Sequence, residues 1–337
     1  MYRFALCLGL IVVLPTICCA NDDAKAIALL KGVERERLKY DCFHIRYEEY
    51  RAETGQTSEQ IVDYERGKIR KEHLPSEFFR GMKSILLEDV VYYMGTYDAK
   101  HVAIVPHQSI NAYGAGVYDP RMLGLIDMMS HKGDVGDCFP RNRPNYSVSR
   151  KIFEGHSIYV VECQDDERNG FARWMLYIKE PDFHLLRKTV EAEWGKVRID
   201  NDYSNHEFLP FPTKVHIYRV APQDDGEDVV VFDRYFTVKD VQIKKSFPSE
   251  TFTLAALNPP LNSDVVDYRI DRVLGYWDGE KIVDDPVSIS AQELRELMEG
   301  RKESTVSKAV RYSLTGIGVI MILYALFSMY RKRRLKE

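Results

Sequence analysis

The stretch Phe43-His44-Ile45-Arg46-Tyr47-Glu48 alternates strictly between apolar and polar side chains. Because successive side chains of a β-strand point to opposite faces of a sheet, this period of two predicts a strand with one buried face. Segments of strand character recur along the chain, largely in sequence-adjacent pairs, and are predicted at residues 60–72, 90–97, 100–106, 151–163, 171–179, 185–193, 214–220, 229–236 and 236–243. Strands at this spacing indicate an antiparallel meander or an open barrel.

Two helices are predicted beside this sheet. Residues 22–39 place apolar side chains at helical spacing between charges, and Asn21 can cap that helix. Asp119 and Pro120 match an N-cap followed by proline at the first helical position, which predicts an inserted, Met-rich helix that begins at Pro120 and continues to Met129. We interpret this helix as a plug of the half-barrel. A ligand-gating lid is the alternative, since Met clusters fill irregular cores as often as they bind guests.

The two ends of the chain predict export and anchoring. Residues 1–20 combine one positive charge at Arg3, an apolar run and a small residue at Ala20, which is the pattern of a signal peptide cleaved after Ala20. Residues 312–330 carry no charge and, at about 1.5 Å per residue, would span about 28 Å, enough to cross the hydrocarbon core. The basic tail, residues 331–337, predicts a cytoplasmic C-terminus.

Two alternatives for the N-terminus have less support. An uncleaved anchor helix needs about 20 apolar residues, and the run from Phe4 to Leu14 is shorter. Lipidation of Cys18 or Cys19 is the other alternative, but the residues before them lack the usual Leu and small-residue pattern.

The predicted fold class is α+β: a curved antiparallel sheet (an open half-barrel) with an N-terminal amphipathic helix, an inserted helix and one C-terminal transmembrane helix. The predicted parts are a signal peptide at residues 1–20, a β-rich half-barrel ectodomain at 21–254, a linker and juxtamembrane stalk at 255–311, the transmembrane helix at 312–330 and a cytoplasmic basic tail at 331–337. The chain is therefore predicted to be a single-pass protein of the cell membrane whose ectodomain is periplasmic or otherwise extracytoplasmic.

The charge of the ectodomain excludes some partners. The whole chain has a formal charge of −4; removing Arg3 (+1) and the tail (+4) leaves −9 on residues 21–330. A domain this acidic is a poor candidate for binding nucleic acid or anionic lipid headgroups.

Three cysteines remain once the signal is removed: Cys42, Cys138 and Cys163. In an oxidising compartment they allow one disulfide, and we predict Cys138 with Cys163, which closes a loop of about 25 residues. Three buried thiols are the alternative. Their spacing to histidines matches no zinc site, so no metal is predicted.

Catalytic motifs are missing from the sequence. Gly155-His156-Ser157 matches the first half of a nucleophile elbow, but Tyr159 stands where the second glycine is needed. No His-Glu-x-x-His, Walker, Gly-x-Gly-x-x-Gly or EF-hand pattern occurs. We therefore predict a protein that is not an enzyme and needs no cofactor. The sequence leaves open a pair of catalytic carboxylates, because the distance between two carboxylates in the fold cannot be read from their positions in the sequence.

Apolar side chains on one face of the strands and on the inserted helix are the candidate ligand contacts. They would line a hydrophobic cavity for a lipid-like guest if the curved sheet leaves one, and a filled core is the alternative. The candidates are Phe43, Ile45, Tyr47, Met122, Leu125, Met129, Trp174, Leu176 and Ile178.

Two late segments carry a resemblance to a known family. Phe211-Pro212-Thr213-Lys214-Val215 enters a late strand, and residues 247–254, Phe-Pro-Ser-Glu-Thr-Phe-Thr-Leu, end the sheet. Together with the order of helix, strands and inserted helix, they resemble the outer-membrane lipoprotein-sorting (LolA/LolB-like) superfamily over residues 22–254. The resemblance implies an unclosed β-barrel with a helical lid that carries acyl chains in its concavity. The classical carrier is soluble, whereas this chain is predicted to be tethered, so it would receive or present a ligand.

Three hypotheses for function follow. The leading one is a membrane-anchored, exported lipoprotein-sorting-like domain that binds a lipid, a lipoprotein or an acyl chain without catalysis. The second is a protein-interaction or scaffold domain that reuses the fold. The third is an envelope hydrolase with an unrecognised acidic site.

Overall fold

The computed structural model describes residues 22–75, 81–95, 101–107, 117–126, 135–140, 145–165, 172–222 and 228–284. The predicted signal peptide, transmembrane helix and basic tail lie outside these residues, as does Met129. Within the described ranges, no helix has the length and apolar character needed to cross a membrane.

One helix, α1 at residues 22–37, precedes a sheet of 16 strands. The strands are β1 Cys42–Arg51, β2 Gln56–Glu65, β3 Lys68–His73, β4 Met82–Leu87, β5 Val90–Met94, β6 His101–Pro106, β7 Ser147–Phe153, β8 His156–Asp165, β9 Ala172–Lys179, β10 His184–Ala192, β11 Gly195–Asp202, β12 Lys214–Pro222, β13 Asp228–Ile243, β14 Asp264–Asp267, β15 Arg272–Trp277 and β16 Ile282–Val283. Their order across the sheet is β16-β15-β14-β6-β5-β4-β3-β2-β1-β13-β12-β11-β10-β9-β8-β7. The predicted open, curved and mainly antiparallel sheet is confirmed.

Some strand boundaries differ from the prediction because of tight turns. The segment 60–72 is two strands, since Arg66 and Gly67 both adopt positive φ, 47° and 88°, and reverse the chain. The segment 151–163 is divided in the same way at Glu154 and Gly155. Conversely, residues 229–243 belong to one 16-residue strand rather than two. Within residues 40–254, strands β4 and β11 were not predicted.

Residues 255–284 differ from the predicted linker, because they extend the sheet. Strand β14 pairs in parallel with β6, with Val265 opposite Val102, and β15 and β16 follow it. Phe252 and Leu257 lie in two short 3-10 helices, Ser249–Phe252 and Leu254–Leu257, and pack on that side of the sheet with Ile85 and Val265. Strand β6 is thereby buried on both faces, which explains its unbroken apolar run.

The inserted segment also differs from its prediction. Asp119 acts as the predicted N-cap, since its carboxylate accepts a hydrogen bond of 2.9 Å from the Arg121 backbone N–H. The element that follows is a three-residue 3-10 helix, Pro120–Met122, rather than an α-helix. Gly124 ends the turn at φ +78°, a conformation that favours glycine. The remainder of the predicted helix, from residue 127, lies outside the described residues.

The inner face of the sheet is defined here by the side chains of Phe43, Ile45 and Tyr47 and their cross-strand neighbours. The central hydrophobic cluster on this face draws residues from β1 to β6 and from β11 to β13. A second cluster packs α1 and the inserted segment on β8, β9 and β10. Helix α1 and the inserted segment therefore cover the inner face of the sheet over β8, β9 and β10.

Close packing of α1 on the β9–β10 turn gives a first prediction. A Cβ atom on Gly32 would lie 2.2 Å from Cδ1 of Phe183, so one of the two must move. We expect Gly32→Ala to destabilise the full-length chain by about 2 kcal/mol despite the better helix propensity of alanine. Urea unfolding followed by tryptophan fluorescence measures this, with Lys31→Ala on the exposed side of α1 as control. A stability equal to that of the control would show that α1 is not seated on this turn.

Candidate binding site on the inner face of the sheet

The structure divides the nine predicted ligand contacts between two clusters. Phe43, Ile45 and Tyr47 lie in the central cluster, where the Phe43 ring stacks on Tyr64 at 5.1 Å and meets Phe211 at 4.9 Å. Four others belong to the second cluster and Trp174 packs against it. The four are Met122, Leu125, Leu176 and Ile178. Eight of the nine thus lie in the packed interior, and the ninth, Met129, lies outside the described residues.

Two polar side chains fasten the inserted segment to the sheet. The buried ammonium group of Lys188 donates hydrogen bonds to the carbonyls of Leu125, at 2.7 Å, and Cys138, at 2.8 Å. Asn201 donates to the carbonyls of Gly124, at 2.9 Å, and Leu185, at 2.8 Å. These bonds satisfy backbone acceptors that would otherwise be buried without partners. They support the interpretation of residues 117–126 and 135–140 as a plug.

Cys138 and Cys163 lie in this same buried cluster, each 1% exposed. Burial raises the pKa of the Cys138 thiol to about 12. The disulfide between them stays a prediction.

The burial of Cys138 predicts low thiol reactivity, because the thiolate is the reactive form. We expect Cys138 to resist iodoacetamide at pH 8 in the native full-length chain, and Ser149→Cys, at an exposed position of β7, supplies the reactive control. Mass spectrometry after urea without reductant then separates the two states: a Cys138–Cys163 linked peptide shows the disulfide, and alkylation shows the thiols. Native alkylation at the rate of the control would contradict the packing.

The inner face becomes polar beyond Tyr47 on β1 and beyond Ile69 on β3. The cross-strand register places Glu49 opposite Ser58, and Lys71 opposite Ser84. We call this set the polar half of the inner face, and its members are Glu49, Arg51, Ser58, Gln60, Lys71, His73, Ser84 and Arg234. Its side chains are largely buried, with Gln60 2% and Ser84 0% exposed.

Glu49 is the centre of the hydrogen bonds in the polar half. Tyr47 donates to the Gln60 amide oxygen at 2.9 Å, and the Gln60 amide nitrogen donates to Glu49 Oε2 at 2.8 Å. Arg51 Nε and Arg234 Nη1 donate to Glu49 Oε1 at 2.9 Å and 3.2 Å. The buried carboxylate is therefore fully engaged, as a buried charge requires.

Burial shifts the titration of the basic members of the polar half. It lowers the pKa of Lys71 to about 8, with Arg51 acting in the same direction and Glu49 against it. It lowers the pKa of His73 to about 2, reinforced by Lys71 and Arg51. Near pH 7, Lys71 is charged and His73 is neutral.

Two hydroxyl groups in the polar half have no hydrogen-bond partner among the described residues. They are Oγ of Ser58, in a side chain 4% exposed, and Oγ of Ser84, 0% exposed. Buried polar groups of folded proteins are nearly always hydrogen-bonded, so such groups point to a partner from outside the chain, either water or a ligand.

The outer face carries two histidine–aspartate pairs that the sequence did not indicate. His44 bonds Asp63 at 2.7 Å, and His216 bonds Asp233 at 2.7 Å with its ring stacked on Tyr235. The strand register supplies each imidazole with a carboxylate. A recess of about 240 Å³ beside His216 is lined in part by Glu154, Asp200 and Asp202.

The carboxylates of this recess have protein partners. Asp200 is paired with Arg187 and with Arg198, and Asp202 accepts hydrogen bonds from Ser204. This arrangement does not favour an acidic catalytic pair at the recess.

Sequence reasoning missed the polar half because its members are distributed over five strands, β1 to β4 and β13. A signal was nevertheless present. Continuing the alternation of Phe43, Ile45 and Tyr47 by one more step reaches Glu49, a charged residue on the face that the pattern predicts to be buried.

No protein-family model matches the chain, and no curated protein matches it either. Among solved structures, a putative outer membrane lipoprotein-sorting protein domain from Vibrio parahaemolyticus is similar at 9% identity and a TM-score of 0.41, over 69% of this chain and 99% of that chain. A DUF1329 family protein from Desulfovibrio piger is similar at 9% identity and a TM-score of 0.43, over 70% of this chain and 99% of that one. MucB, in complex with MucA(peri), matches at 8% identity and a TM-score of 0.22, over 66% and 100%.

The resemblance to lipoprotein-sorting domains is thus a remote one. At these TM-scores no residue role and no activity passes from those proteins to this chain. What the structure itself defines is an open antiparallel sheet with an inner face that is apolar at one end of its strands and polar at the other.

Proposed function

We propose that this chain is an exported, membrane-anchored domain that binds a lipid or acyl chain on the inner face of its sheet, without catalysis. The observation that carries the proposal is the division of that face along the strands. On β1, the inward side chains run from Phe43 to Glu49, and on β3 from Ile69 to His73. Two apolar side chains of the same face, Met82 on β4 and Phe232 on β13, lie next to the polar ones. An amphiphile, with an apolar chain and a polar head, is divided in the same way.

The exposure of the polar half indicates the side from which a ligand would enter the inner face. Its inner members are buried, but the exposed fraction of the side chains increases toward the β1–β2 turn, to 26% for Arg51 and 29% for Glu53. Arg234, at 14%, lies between these extremes. A ligand entering at this rim would meet the polar half first and place its head there.

Photo-cross-linking tests the proposal. The full-length chain in lipid nanodiscs would be irradiated with a neutral probe, a monoacylglycerol that carries a diazirine in its acyl chain. We expect labels at the inward positions Ile69, Met82 and Leu86, and few at the outward neighbours Arg70 and Lys83. The anchor provides an internal reference for contact with bilayer lipid.

Two results would contradict binding on the inner face. Labels confined to residues 312–330 would mean that the probe meets only the anchor. Labels spread equally over inward and outward positions of β3 and β4 would mean that the probe contacts the domain without a specific site.

A second candidate function, protein interaction, is favoured by an exposed apolar patch. Val229, Val230 and Val231 at the start of β13 are 40%, 47% and 47% exposed. Exposed apolar side chains at this density mark interaction surfaces. Val230→Asp would abolish cross-links to other proteins in the native membrane under this hypothesis, and would leave the lipid labels on β3 and β4 unchanged.

A further inference from the structure

We infer that strand β7 is a docking edge for another protein, which adds an extended, acidic segment to the sheet beside Arg150 and Lys151. This inference does not depend on lipid binding by the inner face. Strand β7 is the last strand on its side of the sheet, and among the described residues it pairs with β8 alone. An edge strand points alternate backbone N–H and C=O groups away from the sheet, where an added strand can pair with them.

Strand β7 lacks most of the features that protect an edge from such pairing. Its seven residues pair with β8 without a register shift, so no β-bulge bends the edge away. It contains no proline, and five of its seven side chains are exposed. Ile152, at 82%, is the most exposed large apolar side chain in the described part of the chain. A paired strand would remove part of this apolar surface from water.

Cations without an ion-pair partner line the edge. Arg150 donates a hydrogen bond to Ser157 Oγ at 2.9 Å, and Lys151 is exposed. Within the described ranges, neither of the two forms an ion pair with a carboxylate. Lys25 of α1 lies beside them, since its ammonium is 4.0 Å, and the Arg150 guanidinium 6.0 Å, from the centre of the Tyr159 ring.

The two glutamates of the β7–β8 hairpin are paired with arginines of neighbouring strands. Glu162, which lies opposite Ser147, forms an ion pair with Arg173 at 2.7 Å. Glu154, in the turn, lies 3.8 Å from Arg187. These carboxylates stand at the two ends of β7, so the middle of the edge presents its cations to the strand that pairs with it.

These cations disfavour a second copy of the chain as the occupant. In the two-fold antiparallel pairing that overlaps all seven residues of β7, two Arg150 side chains face each other at the centre. Like charges directly opposite each other destabilise a strand pair, whereas opposite charges stabilise it. The edge therefore selects an acidic strand from a different protein, by attraction toward that strand and by repulsion of its own kind.

The register defines the sequence that the edge accepts. Directly opposite residues of an antiparallel pair lie on the same face of the sheet. An antiparallel partner would place acidic residues opposite Arg150 and Lys151, and apolar residues opposite Ile152 and Val148. Read in its own direction, the partner segment is apolar, acidic, acidic, any residue, apolar. Val-Glu-Glu-Thr-Val is one such sequence.

The test measures peptide binding by fluorescence anisotropy, with the full-length chain in nanodiscs of neutral lipid. One labelled peptide contains Val-Glu-Glu-Thr-Val between threonines, and the matched peptide has lysines in place of the two glutamates. We expect the acidic peptide to bind at least about tenfold more tightly, since two attractive cross-strand pairs are otherwise replaced by two repulsive ones. The double variant Arg150→Glu, Lys151→Glu should reverse this preference.

Three controls separate strand addition at β7 from other contacts. The double variant Lys244→Glu, Lys245→Glu reverses an adjacent exposed pair after β13 and should keep the preference for the acidic peptide. Val230→Asp should also keep it, because five strands separate β13 from β7. Of two acidic peptides N-methylated on alternate residues, only one should lose binding, since only alternate N–H groups of an added strand point toward β7. Circular dichroism confirms the fold of each variant.

Several results would overturn the inference. They are failure of both peptides to bind, a preference that survives the reversal of Arg150 and Lys151, and equal behaviour of the two N-methylated peptides. Displacement of the acidic peptide by vesicles of anionic lipid would mean that the cations bind a membrane surface instead. Dimers of the chain that the charge reversal abolishes would mean that a second copy is the occupant. The photo-labels on the inner face test the proposed function separately from all of these.

Discussion

The Lys188→Met variant of the full-length chain is expected to lose about 3 kcal/mol of unfolding free energy. The substitution keeps the side-chain volume and removes the ammonium group, so the buried carbonyls of Leu125 and Cys138 each lose a charged donor. A buried carbonyl left without a partner costs about 1–3 kcal/mol. Because these carbonyls belong to the inserted segment, the loss should be concentrated there.

Two measurements check this expectation. Urea unfolding followed by tryptophan fluorescence gives the global loss, and Trp174 is well placed to report it because the Lys188 ammonium lies 4.7 Å from its ring centre. Hydrogen exchange should show faster opening in residues 117–126 than in β1 and β2. Lys196→Met is the matched control, since Lys196 is exposed, forms an ion pair with Glu191, and should contribute less than about 1 kcal/mol. A loss no larger than that of the control would show that the segment is held by apolar contacts alone.

The Lys71→Met variant is expected to change how stability depends on pH. Lys71 has its pKa lowered in the folded state from 10.5 to about 8, mainly by burial. Between these two values the unfolded chain keeps the proton that the folded chain has released, so the free energy of unfolding rises with pH. The rise amounts to about 3 kcal/mol across the window, and below pH 8 it is absent because both states are protonated.

Lys71→Met should lack this rise and should be more stable than the unmodified chain at pH 7, where the buried ammonium is unfavourable. Among the described residues, Glu49 and Arg51 act on the charge of Lys71, and the neutral His73 lies two residues further along the strand; none of them is replaced. Urea unfolding at pH 7, 8, 9 and 10 measures the difference between the two proteins, so other groups that titrate in this range cancel. Lys83→Met should follow the unmodified chain. Parallel stability curves for Lys71→Met and the unmodified chain would contradict the buried position of the ammonium.

These two lysines are absent from the contacts that the sequence predicted, and the reason is physical. Lys71 stands between Arg70 and Glu72, and Lys188 follows Arg187. Such polar stretches are typical of solvent-exposed strand positions, and lysine is almost never fully buried unless it has a partner. Their burial depends on which strands flank them. Neighbouring strands bring Ser84 opposite Lys71, and the inserted segment brings its carbonyls to Lys188.

Strands β4 and β14 were not predicted for the same reason, since their burial also depends on the strands beside them. Strand β4 has Ser84 on its inner face and Ile85 on its outer face, both 0% exposed, so it shows no alternation of apolar and polar residues. Strand β14 pairs with β6 across more than 160 residues of sequence, with Asp264 opposite His101. A strand that is buried on both faces shows no alternation of apolar and polar residues, and a pairing between distant segments leaves no signal in the local sequence.

The sequence by itself determined the features that depend on neighbouring residues. The period of two from Phe43 to Tyr47 defined an inward apolar face, helical spacing defined α1, and Asp119 was identified as a cap. Only the tertiary structure decided that the same face turns polar beyond Tyr47, and that its charges collect around Glu49. Strand register and curvature bring together residues that are far apart in the chain, and the hydrogen bonds between them exist only once they are adjacent.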